Sequence, residues 1–126
     1  MTLARAREKL GGRVSSHGRG GEVVRVGDEV GVVIWSDDAH CDVWIGEDRI
    51  KRVPFDEASK TPPVEAMRAI ASDARAFVDL EEGARVVFDE KLEGRLIEKC
   101  RWGGLVALDD GRVFAVGFRR FARRLN

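Results

Sequence analysis

The chain reads as mainly β with one or two helices: two small β units, related by an internal duplication and joined by an amphipathic helix. Three observations predict this. Short runs rich in Val and Ile alternate with Gly- and Asp-containing turns at intervals of about ten residues. Shifting the sequence against itself by 63 positions lays strand residues on strand residues. Between the two repeats lies one stretch with apolar residues at helical spacing.

Taken in order, Thr2 to Leu10 has helical composition, with Leu3, Ala6 and Leu10 on one face and Gly11-Gly12 as its stop. Arg13 to Gly21 is polar and glycine-rich and reads as a loop or mobile arm, with His17 solvated in it. These first 21 residues form an N-terminal segment. The first β unit spans residues 22–60. Its strands are Glu22–Val26, Glu29–Trp35, Cys41–Ile45 and Arg49–Val53, separated by Gly27-Asp28, Ser36 to His40, and Gly46 to Asp48. The connecting helix occupies residues 61–82. Thr61 is its expected N-cap, Pro62 and Pro63 suit a first turn, and Val64, Met67, Ile70, Ala71, Ala74, Phe77 and Val78 form its core-facing stripe. The second β unit spans residues 83–126. It holds strands Arg85–Phe88, Gly94–Lys99, Gly104–Leu108 and Arg112–Val116, then a short fifth strand or 3₁₀ turn within Gly117–Ala122 and a basic C-terminus.

The 63-residue offset pairs Gly31 with Gly94, Ile34 with Ile97, Val43 with Val106, Arg49 with Arg112, Val53 with Val116 and Phe55 with Phe118. Without gaps it also pairs Gly20 with Gly83, and Val23-Val24 with Val86-Val87. Matches fall on strands and mismatches on turns, as a duplication that keeps its fold leaves them. Alternation along a strand then points Val43, Ile45, Val106 and Leu108 inward and Trp44 and Ala107 outward.

Composition narrows the function classes. Of 126 residues, 22 are basic and 22 acidic, so no net charge draws the whole molecule to nucleic acid. The ends are basic (+4 over residues 1–25, +2 over 81–126) and the middle acidic (−6 over 26–80). Two cysteines, Cys41 and Cys100, at non-equivalent places in the repeats, predict reduced thiols rather than a disulfide framework. No apolar run reaches the length of a membrane span, and the first ten residues lack a secretory core, so a cytoplasmic protein is expected. Gly18-Arg19-Gly20-Gly21 has no P-loop spacing, HExxH and paired CxxC are missing, and two scattered histidines support no triad. Asp37, Asp38, Asp109 and Asp110 lie in turns, where Asp serves local backbone bonding, and Asp110-Gly111 is a hairpin signature. The expectation is a protein that is not an enzyme, with no cofactor, no metal and no small-molecule substrate.

Gly83-Ala84-Arg85-Val86, Gly94-Arg95-Leu96-Ile97 and Val106 to Arg112, with Gly27 to Val30 and Val43-Trp44-Ile45 through Arg49 in the first copy, resemble an SH3-like small barrel of the Tudor or KOW kind. About 35 residues per copy carry the resemblance. It implies tandem binding modules. Tudor-like domains cage methylated side chains with aromatics; KOW-like domains contact RNA or proteins of the transcription and translation apparatus through strand-end loops. The expected function is an adaptor docking on a protein partner, with Trp35, Trp44, Arg101 and Trp102 as candidate contacts. The alternative is an accessory protein bound to RNA or DNA through Lys99, Arg101, Trp102, Arg119, Arg120, Arg123 and Arg124. In that case Trp102 stacks on a base and the cations meet phosphates.

Overall fold

A computed structural model describes residues 2–47, 49–62 and 64–121. It is mainly β, with two antiparallel sheets, one longer helix and one short one. The chain divides into two compact units. An inserted unit comprises Ser16–Val78; a flanking unit joins the start of the chain, to Ser15, with everything from Asp79 onward. The glycine-rich arm is thus split, its first half packing with the second sheet and its second half with the first.

The inserted unit contains β1 (Val23–Val26), β2 (Glu29–Ser36), β3 (His40–Gly46), β4 (Arg49–Pro54), a 3₁₀ turn (Phe55–Glu57) and β5 (Ser59–Lys60). Strand order is β4-β3-β2-β1-β5. One face buries Val24, Val26, Val33, Cys41, Val43, Val53 and Ala58, with Ile45 and Phe55 at the margin. A single 3₁₀ turn (Glu65–Met67) runs into α2 (Arg68–Val78), which packs on β2. With apolar neighbours on both faces, β2 needs the continuous run Val32-Val33-Ile34, all three fully buried. Ile70, Ala74 and Phe77 carry the packing of α2, while Met67, Ala71 and Val78 are only half-buried. Asp73, expected on the solvent side, is buried as well. Thr61 does not cap the helix: its N–H donates to the Val23 carbonyl at 3.1 Å and prolongs the β5 edge. The residue preceding the 3₁₀ turn is Val64, whose side chain makes no capping bond.

The flanking unit contains α1 (Leu3–Lys9), β6 (Arg85–Phe88), β7 (Leu92–Lys99), β8 (Gly103–Ala107), β9 (Val113–Gly117) and a closing 3₁₀ turn (Phe118–Arg120). The sheet runs β6-β7-β8-β9, and Phe121 returns beside Phe88 in an isolated antiparallel bridge. One face buries Val86, Phe88, Leu96, Val106, Leu108 and Val116. The other buries Cys100 and Leu105 under Ala6 and Leu10 of the N-terminal segment. Thr2 caps α1 by accepting from the Arg5 N–H. Leu3, expected on the apolar face, is exposed. Neither sheet closes into a barrel: among the described residues, β4 and β5 end one sheet, and β9 and β6 end the other.

The two sheets share their pairing register. Val32 faces Trp44 and Val33 faces Val43; 63 positions later Arg95 faces Ala107 and Leu96 faces Val106. A bulge between Val33 and Trp35 recurs between Leu96 and Glu98. The β3–β4 pairs His40/Pro54 to Trp44/Ile50 recur as Gly103/Gly117 to Ala107/Val113. Two hairpins depart: the bulge between Trp44 and Gly46 in β3–β4 has no counterpart in β8–β9, and the first hairpin differs in length. Val26 pairs with Glu29 across two residues, whereas Phe88 pairs with Leu92 across three. The extra residue moves the correspondence there to 62, so Gly83 answers to Gly21 rather than Gly20, and Val86 to Val24. Both glycines confirm this. Each donates to the bulged strand, Gly21 to Val33 at 2.7 Å and Gly83 to Leu96 at 2.6 Å, with φ of 95° and 93°.

Candidate functional site

The two tryptophans of the first unit are not free surface. Trp44 lies opposite the Val43 face, as alternation requires, but is 8% exposed, and Trp35 is 6% exposed. Beside them, across β3 and β4, stands an ion pair. Asp42, 1% exposed, faces Arg52 across β3 and β4 and accepts from its Nε at 2.8 Å and one terminal nitrogen at 3.1 Å. The bond to Asp42 raises the Arg52 pKa above its ordinary value. The guanidinium also lies 5.6 Å from the Trp35 ring centroid. Such a fork–carboxylate pair fixes the orientation of both side chains. Trp35, Trp44, Asp42 and Arg52 thus form a built patch on one face of the sheet, with the Arg52 side chain its exposed member.

The Lys99–Gly104 loop is ordered by the N-terminal segment. The Arg101 N–H donates to the Gly12 carbonyl and the Trp102 N–H to the Leu10 carbonyl, both at 3.1 Å. Gly11, with φ of 84°, lies against the Trp102 ring so closely that an added Cβ would sit 3.0 Å from it. Arg101 and Trp102 are half-buried. Lys99 is buried: its ammonium donates to the Leu80 carbonyl at 2.7 Å, and its pKa falls because burial penalises the charge. Arg120 binds both oxygens of Asp89 and also donates to the Ala115 carbonyl at 3.3 Å. Arg119 is exposed. Arg123 and Arg124 lie outside the described residues. The loop therefore brings Arg101 and Trp102 together, while Lys99 and Arg120 are committed to partners within the fold.

Three groups organise this structure without a periodic signal in the sequence. His17 is buried rather than solvated, edge-on to Phe77 with ring centroids 5.1 Å apart. Arg19 enters the inserted unit and donates to the carbonyls of Phe55 (3.2 Å) and Ala58 (2.8 Å) and to Glu22 (3.2 Å). Its flanking glycines were the available signal: a Cβ at Gly18 would strike Ser36, and one at Gly20 would meet the Ile34 carbonyl. The third group is a pair of acids that hold the N-terminal segment. Glu98 takes both ends of the Arg7 guanidinium at 2.7 Å, and Glu82 takes Arg13 at 2.7 Å.

Those acids give the flanking unit a pH dependence. Hydrogen bonding from Arg7 lowers the Glu98 pKa, and the Lys99 N–H together with Arg13 lowers that of Glu82. A carboxyl depressed on folding contributes stability above its unfolded pKa and loses it as pH falls through the folded one. Urea midpoints should therefore hold steady from neutral pH down to the usual glutamate range and decline below it. An Arg7→Ala, Arg13→Ala double variant should show a shallower decline; an unchanged slope would refute the assignment.

Cys41 and Cys100 are both buried and form no disulfide, and burial pushes the Cys100 thiol up to about 11. Among the described residues no group of three or more His, Cys, Asp or Glu is placed to hold a metal ion, and no helix is long and apolar enough to cross a membrane. No protein-family model matches the sequence, and neither does any curated protein.

Proposed function

We propose that this chain is a non-enzymatic, cytoplasmic adaptor built from two SH3-like small-barrel modules that arose by duplication, and that it docks on a protein partner. The shared register supports the duplication. The SH3-like reading draws on the strand order β4-β3-β2-β1-β5, in which a 3₁₀ turn after β4 brings a short fifth strand back beside β1. The second sheet repeats the arrangement with Phe118–Arg120 and the Phe121 bridge. The docking surface is the Arg101-Trp102 loop, held rigidly by Leu10 and Gly12, with the Arg52 edge of the tryptophan patch as a second contact.

One observation carries the choice of a protein over nucleic acid. Lys99 and Arg120, which a phosphate-binding surface needs free, are spent on Leu80 and Asp89. Arg119, which is exposed, belongs to the alternative, an accessory protein on RNA or DNA. Nuclease-treated affinity purification with wild type and Arg101→Glu separates the two. A partner protein kept after nuclease and lost in the variant supports docking. Binding to single-stranded RNA whose log affinity falls linearly with log salt, with no protein partner, overturns it.

A further inference from the structure

The two helices are placed crosswise on the duplicated sheets. In the chain α1 precedes β1–β5, yet it packs on β8 and β9. Likewise α2 precedes β6–β9, yet it packs on β2. The division of the chain states the same fact: residues up to Ser15 belong with the second sheet, and Ser16–Val78 holds the first sheet with α2. Each sheet therefore carries the helix that leads into the other. Helix and sheet recognise each other here through their contacts, without being neighbours in sequence.

Residues 2–15 have the properties of a separate ligand for the second sheet. Ala6 and Leu10 lie on Cys100 and Leu105. The Leu10 and Gly12 carbonyls accept from the Trp102 and Arg101 N–H groups at 3.1 Å, and the Val14 N–H donates to the Lys99 carbonyl at 3.0 Å. Arg13 forms an antiparallel bridge with Cys100. Arg7 binds both oxygens of Glu98, and Arg13 binds Glu82. Charge suits the two sides to each other. The segment holds Arg5, Arg7, Lys9 and Arg13 against Glu8, while Asp79, Glu81, Glu82 and Glu98 lie on the side that receives it. All the partners just named for its bonds and packing fall between Glu82 and Leu105, so a second copy offers the identical set. The chain passes from this segment into the inserted unit at Ser15 and Ser16, both exposed.

We propose that residues 2–15 dock on the second sheet of another copy as they do on their own, so that two copies exchange N-terminal segments and form a dimer. Such an exchange keeps every contact, because Arg7 meets Glu98, and Leu10 meets Trp102, across chains as within one. Its competitor is closure within a single chain. A short flexible connection gives that closure an effective concentration on the order of millimolar. The wild-type dimer is therefore expected as the protein approaches about 1 mM.

Charge reversal tests the exchange on the full chain. Arg7→Glu and Glu98→Arg each bring like charges together at this contact, whether the segment docks on its own chain or on an identical copy. Only a mixture of the two satisfies both contacts by exchange. The two reversed residues then meet each other, and the native Arg7 of one chain meets the native Glu98 of the other. By native mass spectrometry, the equimolar mixture at about 0.1 mM should hold roughly tenfold or more heterodimer than either variant holds homodimer. A chain carrying both substitutions regains the pair within itself and should recover the melting temperature that either one loses. Wild type gives a second readout. At about 1 mM, isotope-filtered NOEs should run from Ala6 and Leu10 of an unlabelled chain to Leu105 of a labelled one. A mixture of folded variants with no excess of heterodimer overturns the proposal. So does wild type at that concentration without these NOEs, whether it is a monomer or a dimer through another surface. If a single variant does not fold, the wild-type result decides.

Discussion

Replacing Arg19 with alanine should destabilise the inserted unit by about 3 kcal/mol, and lysine should restore little of it. The Arg19 side chain is only 17% exposed. Its guanidinium spreads over the Phe55 ring, 4.7 Å from the centroid, while its nitrogens bind the Phe55 and Ala58 carbonyls and the Glu22 carboxylate. Those two carbonyls flank the 3₁₀ turn that carries the chain from β4 to β5. Alanine takes the guanidinium from both carbonyls in a partly buried site, leaving the Phe55 oxygen its long bond from the Ala58 N–H (3.4 Å), and leaves Glu22 without its cation. Lysine offers a point charge where a planar fork spans three acceptors. Urea denaturation followed by tryptophan fluorescence reads the loss through Trp35 and Trp44. A change under about 0.5 kcal/mol, the range of ordinary surface substitutions, would show that the turn stands without the clamp.

Arg19 also shows where sequence reasoning stopped. The limits of Arg85–Phe88 were legible because a half-buried strand writes its period of two into the residues themselves, whereas the expected Glu29–Trp35 stopped one residue short of Ser36 in a strand buried on both faces. The 63-residue correspondence was legible for the same reason. Neither signal extends into Arg13–Gly21, where no periodicity exists and the contacts that anchor the segment to the sheets are remote in sequence. His17 finds Phe77, and Arg19 finds Phe55 and Ala58. The first hairpin was misaligned by one position because a turn that gains a residue leaves no trace in the pattern of the strands beside it. The strand pairing and the shared φ at Gly21 and Gly83 reveal it. Among the candidate site residues, charge type was legible but its commitment was not. Nothing near Lys99 or Arg120 in sequence announces that Leu80 and Asp89 will take them.

The paired sheets also make the tryptophan patch interpretable. At the positions where the second sheet has Leu105 and Ala115, beneath α1, the first has Asp42 and Arg52. One sheet covers these two positions with α1, whereas the helix of the other, α2, packs on β2. The other places there a buried carboxylate and a half-exposed guanidinium, which need polar company rather than an apolar lid. The divergence therefore follows the physical demand of each face. It locates the difference between the modules at Asp42–Arg52 more firmly than at Trp44, whose ring is already covered.

The second large effect tests the correspondence directly. Gly94→Ala should cost about 3 kcal/mol, a fall in melting temperature of roughly 15 °C, and Gly31→Ala should cost a similar amount. Neither glycine is needed for backbone freedom, since neither has a positive φ. Each is needed for space. A Cβ on Gly94 would lie 2.6 Å from the Ala107 carbonyl oxygen and 2.7 Å from a Val106 methyl. One on Gly31 would meet the Trp44 carbonyl and, at 2.7 Å, a Val43 methyl. The obstructing atoms are backbone in both sheets, so relief requires the β2–β3 or β7–β8 ladder to part rather than a side chain to turn. Gly117→Ala is the control. Its Cβ enters open space, and at a compatible φ the substitution should leave stability unchanged or slightly raised. Thermal melts at low protein concentration compare all three. If Gly94→Ala and Gly31→Ala differ by more than about 2 kcal/mol, the two strand crossings do not carry the same constraint, and the shared register reflects strand length rather than a common packing solution.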